Sequence, residues 1–227
     1  MRPPSLCAVC RSWGAQRVCA ECLQRWAAPV PRCPRCAIDI PAGALLCGQC
    51  LLHPPPFARA VAALDYSFPW DGLIARFKFS GALDLVAVLS RQLLAAVRRA
   101  AVEPPTLLLP VPLSEARLRE RGYNQAWELA RRLGTALPCR ADAHLLLRVK
   151  ETAHQLALPP SERAANVRGA FAVEPLRARE LRGRVVAIVD DVMTTGATAA
   201  ELARTLLGAG AAEVQVWVVA RTPRPDR

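Results

Sequence analysis

Eight cysteines in the first fifty residues, set as four C-x-x-C pairs, constrain this chain more than any other feature. The pairs are Cys7/Cys10, Cys19/Cys22, Cys33/Cys36 and Cys47/Cys50, with eight, ten and ten residues between them. A two-residue gap lets both thiolates of a pair grip one ion, and two pairs complete a tetrahedral zinc site. The same cysteines would form disulfides in an oxidising compartment. However, the opening MRPPSLCAVC has no apolar core of signal-peptide length, so a reducing cytosol and metal are expected. Pro29, Pro31, Pro34 and Pro41 interrupt a segment otherwise poor in core material. Metal binding is therefore expected to supply its folding energy. Two zinc ions are the natural count. Sequential pairing gives one ion to Cys7, Cys10, Cys19 and Cys22 and the other to Cys33, Cys36, Cys47 and Cys50; interleaved pairing satisfies the same spacing. Cys139, the ninth, stands alone and reads as a small buried hydrophobe.

"LLHPPPFARA", with Pro54, Pro55 and Pro56 in a row, reads as a stiff extended spacer. It separates a double zinc-ribbon module, 1–52, from a second domain, 57–227. In that domain strands are expected at 60–68, 106–113, 144–150, 185–189 and 213–221. Helices are expected at 70–79, 84–99, 124–137 and 199–210, with Asn124 as a cap. Strands alternating with helices imply an α/β fold, a parallel sheet flanked by helices. "VVAIV" has no polar alternation, as suits a strand covered on both faces. No apolar run approaches the roughly 18 to 20 residues of a membrane helix, so a cytoplasmic protein without membrane insertion is expected.

The net charge is +11, and Lys78 and Lys150 are the only lysines among thirty basic residues. Two zinc tetrathiolates, each of net charge −2, would lower the +11 to +7. Two readings are open: an anionic partner such as nucleic acid or a phosphorylated substrate, or an arginine-rich solvated surface.

The stretch "VVAIVDDVMTTGAT" carries the chemistry. An apolar strand runs into Asp190 and Asp191, and Thr194, Thr195, Gly196, Ala197 and Thr198 then lead into a helix. Ligands of open α/β sheets sit at the carboxyl ends of strands. Backbone N–H groups at a helix N-terminus bind phosphate, and Gly196 lets the backbone come close. The loop would hold a phosphate while the carboxylates accept hydrogen bonds from hydroxyls, which is the layout of a ribose phosphate. Two adjacent carboxylates repel, so hydroxyl donors or a cation are needed to keep both charged.

This stretch resembles the phosphoribosyl-diphosphate motif of type I phosphoribosyltransferases. Three more stretches, "RFKFSG", "VPLSEARLRERGYNQA" and "ETAHQLALPPSERAANVRGAF", together with the cysteine pairs, are similar to the ComF/GntX family, and the likeness covers nearly the whole chain. The resemblance implies a type I phosphoribosyltransferase-like fold behind an N-terminal zinc ribbon, and a link to natural competence and DNA uptake. It gives Asp190 and Asp191 contacts to the ribose 2- and 3-hydroxyls and gives 194–198 the 5-phosphate. It also implies magnesium bound with the donor, and other competence proteins as partners.

A diphosphate leaving group needs cations. Arg117, Arg119 and Arg121 surround Gly122 just past the "PVP" strand end, and arginine's fork of N–H donors suits phosphate oxygens. Arg121, beside the glycine, is the stronger candidate; Arg117 and Arg119 also read as solvated helix residues. Lys78 either reaches a phosphate or snorkels from a helix end. The polar stretch 151–168 corresponds to the family's mobile catalytic loop, with Thr152, Gln155, Arg163 and Asn166 as candidate contacts; capping of a short helix near Ser161 explains them equally. Arg121 and Arg163 join the acidic pair as catalytic candidates. His144 and His154 lie in no recognisable base motif. Three functions compete: a magnesium-dependent phosphoribosyltransferase, a competence factor binding single-stranded DNA with Trp13 and Trp26 as stacking surfaces or module core, and a zinc module that docks a partner protein.

Overall fold

In the computed structural model, residues 5–150 and 163–224 are described, 163 and 164 by backbone alone. The chain begins with β1 (Ser5–Leu6) and β2 (Trp13–Gly14), which pair antiparallel, followed by α1 (Ala20–Trp26). A second turn is closed by the bridge between Arg32 and Asp39, and α2 (Gly48–Leu52) ends the cysteine-rich segment.

The rest is built on five parallel strands. In chain order come β3 (Arg59–Asp65), α3 (Trp70–Phe79), α4 (Val86–Arg99), β4 (Leu107–Pro110), α5 (Glu115–Arg121), α6 (Gln125–Ala136) and β5 (Arg140–Ala141). After these come β6 (Leu146–Arg148), α7 (Arg163–Val167), β7 (Phe171–Val173), β8 (Val185–Met193), α8 (Ala197–Gly208) and β9 (Glu213–Arg221). The sheet order is β3-β9-β8-β4-β5, with every neighbouring pair parallel.

The pleat sends successive residues to opposite faces, and both faces are apolar. On one side Ala187, Val189, Trp217, Val219 and Leu108 pack with α3, α4 and α6, through residues such as Ile74, Leu89 and Leu129. On the other, Val186, Ile188, Val214, Val216 and Val218 pack with α8 through Leu202, Ala203 and Leu206. The expected α/β architecture, a parallel sheet flanked by helices behind a cysteine-rich module, is the one observed.

Three details differ from the sequence reading. The segment expected to be a strand at 144–150 does not join the main sheet: β6 pairs antiparallel with β7 in a separate two-stranded sheet, Leu146 opposite Val173. The fifth place goes to β5, whose two residues are too few to show a period. β8 also runs past its apolar stretch to Met193, carrying both aspartates within the ladder, with Asp190 opposite Val218. Among the described residues, no helix is long and apolar enough to cross a membrane.

Candidate functional site

At the carboxyl end of the sheet β8 gives way to α8 within three residues. Gly196 caps α8 in the left-handed conformation, φ 84°, which favours glycine. The Thr195 hydroxyl accepts from the Ala197 N–H at 3.4 Å. The helix's first turn has N–H groups without intrahelical partners, beside a cleft lined by Thr194, Gly196, Ala197 and Thr198. Thr195 is exposed and does not line it.

The acidic pair is divided by the pleat. Asp191 is 2% exposed and pairs with Lys78 Nζ at 3.0 Å across the face covered by α3. Its Oδ2 is buried and has no hydrogen-bond partner among the described residues. Asp190 points to the other face, and its Oδ1 accepts the Asp191 N–H at 2.8 Å. Burial, and next the Asp191 charge, push the Asp190 carboxyl up to about 8, with Lys78 pulling it back only in part. Lys78 is held above its ordinary value: burial opposes its charge, but Asp191 and Asp190 outweigh that. Both aspartates and Lys78 line the cleft. The sequence reading put both carboxylates beyond the packed part of the strand. The structure corrects this for Asp191, which is a buried half of an ion pair.

The facing wall follows from local capping. Ser114 caps α5, accepting from the Arg117 N–H at 3.5 Å. Gly122, φ 74°, stops the helix, its N–H donating to Leu118 O at 2.8 Å. Asn124 then caps α6 as expected, accepting from Ala126 N at 2.8 Å, and its Nδ2 anchors to Val111 O at 3.0 Å. Tyr123 donates its hydroxyl to Phe77 O, fastening this turn to α3. The result carries Arg117 and Arg121 into the cleft. The Arg121 guanidinium lies 4.9 Å from the Phe79 ring centroid, and its Nε is buried without a hydrogen-bond partner among the described residues. Arg119 is not brought in: it reaches back to Glu115 at 2.6 Å on the exposed side of α5.

Four polar or aromatic lining residues had no role in the sequence reading: Tyr66, Phe79, Gln125 and Arg148. Arg148 ends β6, where a strand terminus past the apolar run was the available signal. Gln125 is 5% exposed, and its Oε1 has no partner among the described residues. Arg163 opens α7, and its side chain lies outside the described residues, as do Thr152, Gln155 and His154. Asn166 lies half-buried in α7, and His144 is exposed outside the cleft.

The cysteines resolve into the sequential groups, Cys7, Cys10, Cys19 and Cys22, and Cys33, Cys36, Cys47 and Cys50. In each, the sulfurs all lie within 4.8 Å of one another. Zn–S bonds of about 2.3 Å give a tetrahedral edge of ~3.8 Å. Cys10 and Cys19 stand 3.7 Å apart and Cys36 and Cys47 3.5 Å, so both groups fit zinc. Backbone N–H groups also point at sulfur, Cys19 N to Cys7 Sγ and Cys47 N to Cys33 Sγ, both at 3.4 Å. Cys139 is half-buried, and burial pushes its thiol up to about 11, as suits an inert residue.

No family model matches the chain. Among curated proteins it is similar to the DNA utilization protein YhgH of Escherichia coli, 38% identical over 229 residues that cover 96% of this chain and 98% of that one. It is also similar to competence protein F of Haemophilus influenzae, 36% identical over 90% of each chain. Among solved structures, the glutamine phosphoribosylpyrophosphate amidotransferase of B. subtilis is 22% identical at a TM-score of 0.36, over 59% of this chain and 25% of that one. With identity this high over nearly the full length of the first two, and both cysteine groups in place, the chain belongs to the ComF/GntX family.

Proposed function

We propose that the 57–227 domain binds phosphoribosyl diphosphate with magnesium and transfers the phosphoribosyl group to an acceptor nucleophile, with release of diphosphate. One observation carries the reading. A single cleft at the sheet's carboxyl end is lined by two carboxylates, Lys78, Arg117, Arg121 and a glycine-containing loop that opens a twelve-residue helix. The loop and helix N-terminus suit the 5-phosphate. Asp190 and the unpartnered Asp191 Oδ2 suit the ribose diol and offer the hard oxygen ligands that magnesium prefers. Arg117 and Arg121 suit the diphosphate, whose departure they would assist by neutralising its growing charge. Magnesium, when bound, adds further neutralisation of the leaving group. Calorimetry with phosphoribosyl diphosphate, with and without magnesium, tests binding. Diphosphate release in the presence of nucleobases or single-stranded DNA tests transfer. Absence of binding at millimolar donor with magnesium present would sink the reading.

A second reading, a competence factor that binds single-stranded DNA, rests on Trp13. Its side chain is 74% exposed on β2, close in sequence to the exposed Arg11. Trp26 is half-buried and packs against the core. It packs edge-on against Phe68 at 5.2 Å, and its carbonyl accepts from Trp70 Nε1. The relatives' names, DNA utilization protein and competence protein, favour a DNA-handling role. Trp13→Ala should weaken single-stranded DNA binding, and raised salt should weaken it further. Affinity indifferent to both changes would remove this reading.

A further inference from the structure

Arg221, the last residue of β9, joins two parts of the molecule that the sequence keeps far apart. It lies in register with Met193 of β8 and Asp65 of β3 and is 8% exposed. Its guanidinium is held by backbone carbonyls. Nε donates to Cys36 O at 3.0 Å. Nη1 donates to Met193 O at 3.0 Å, to Thr222 O at 3.1 Å and to Thr194 O. Cys36 belongs to the second cysteine group, and Met193 and Thr194 open the loop before α8.

We propose that Arg221 is a positioning residue that makes the order of the 193–198 loop depend on metal in the Cys33, Cys36, Cys47 and Cys50 site. That the loop then holds a phosphate rests on the function proposed above; the tie itself does not. A trans peptide fixes its N–H opposite to its C=O. Holding the Met193 and Thr194 carbonyls therefore fixes the planes that carry the Thr194 and Thr195 N–H groups. The Cys36 carbonyl can serve as the far anchor only while its knuckle is folded, and a knuckle of this size draws its folding energy from metal. Once the knuckle is released, Nε is left as a buried donor without its acceptor, and the guanidinium leaves or drags the loop carbonyls with it.

The second knuckle has further ties along β3. Arg32 pairs with Asp65, at the same carboxyl end of the sheet, at 2.8 Å, and Ala60 N, near the start of the strand, donates to Pro34 O at 2.9 Å. The first cysteine group is anchored elsewhere. Trp70 Nε1 donates to Trp26 O at 2.6 Å, Arg17 pairs with Asp84 at 2.5 Å, and Arg91 reaches Gln16 at 3.5 Å. Those contacts run to α3, the 83–85 turn and α4, so the two sites should differ in their effect on the loop.

Hydrogen–deuterium exchange of the full zinc-loaded chain tests this, with zinc content measured on each variant. Arg221→Gln keeps all eight cysteines and both ions. It should speed exchange of the 194–198 amides by about tenfold or more. Cys36→Ser should do the same, whereas Cys10→Ser should leave these amides within about twofold of the parent. The tie is overturned if Arg221→Gln, with two ions bound, exchanges like the parent in this loop. It is equally overturned if Cys10→Ser loosens the loop as much as Cys36→Ser does. Calorimetry with phosphoribosyl diphosphate on the parent separates the two ideas. Loop exchange that follows the pattern in a protein that binds no donor supports the tie and removes the function.

Discussion

The chain gathers acidic side chains in two kinds of place and satisfies them differently. In each cysteine group four sulfurs converge within 4.8 Å, and backbone N–H groups point at two of them. The aspartate pair is half answered from within: Lys78 meets Asp191 at 3.0 Å, while half-buried Asp190 protonates readily, pushed up to about 8. A group answered inside the chain does structural work. A group left unanswered marks where a ligand fits: a metal ion at the cysteines and, under the function proposed above, donor hydroxyls or a cation at Asp190.

The comparison predicts its largest effect at the metal. Purified protein should carry close to two zinc ions, and chelation should unfold the cysteine-rich segment, since structural zinc contributes on the order of 10 kcal/mol in small knuckles. Cys33, fully buried, is the sensitive position, and Cys33→Ser should cost far more stability than Cys139→Ser. Metal analysis and thermal melting test both points. A zinc-free protein with eight titratable thiols and an unchanged melt would break the comparison at its stronger end.

Next in size is Asp191→Asn. Breaking a buried ion pair from one side leaves the other charge uncompensated, a cost of about 3 kcal/mol. Lys78, at 16% side-chain exposure, has little water to replace Asp191. The variant should therefore lose stability in urea as well as donor affinity. Removing both partners, with Asp191→Asn and Lys78→Met, should restore much of the stability and none of the binding. If Asp191→Asn unfolds at the parent's urea midpoint, the division of labour between the two aspartates is wrong.

Much of this was legible in the sequence because it rests on short-range rules. The C-x-x-C spacing, the all-apolar strand running into Asp190, the cap at Asn124 and the glycine loop leading into α8 each depend on residues within one turn or one strand. Sequence left sequential and interleaved pairing open, because nothing local says which knuckles meet; the chain path decides it. What escaped lies across the sheet. β8 continues to Met193 because β9 offers it partners as far as Arg221, and no residue of β8 announces that. The sequence leaves Lys78 between reaching a phosphate and snorkelling from a helix end; its pairing with Asp191 depends on α3 packing over that face. Arg119 and Arg121 look alike in the string "RLRERG". Position on a two-turn helix sends one to solvent and the other over Phe79.

The smallest effect is the most specific to Asp190, and its sign can be worked out. The folded-state value is raised from 3.8 to about 8, first by burial and then by the Asp191 charge. Between those limits the folded protein holds a proton that the unfolded chain has lost. Stability therefore falls as pH rises, by at most about 1.4 kcal/mol per unit. Asp190→Asn cannot lose that proton, so it should flatten this part of the profile and gain on the parent as pH climbs toward 8. Lys78 is held above its ordinary value and stays charged throughout, so it does not contribute to the slope in this window. Donor binding should run the other way. Magnesium and ribose hydroxyls both favour the ionised carboxylate, so binding should release a proton and tighten with pH until about 8, then level off. In Asp190→Asn the affinity should be weak and the pH dependence gone. Urea titrations and calorimetry in buffers of different ionisation enthalpy, at pH 6 and pH 8.5, read both effects. A parent whose stability rises across that interval by more than the variant's, or whose donor binding takes up a proton, would mean that Asp190 is already ionised and answered within the chain.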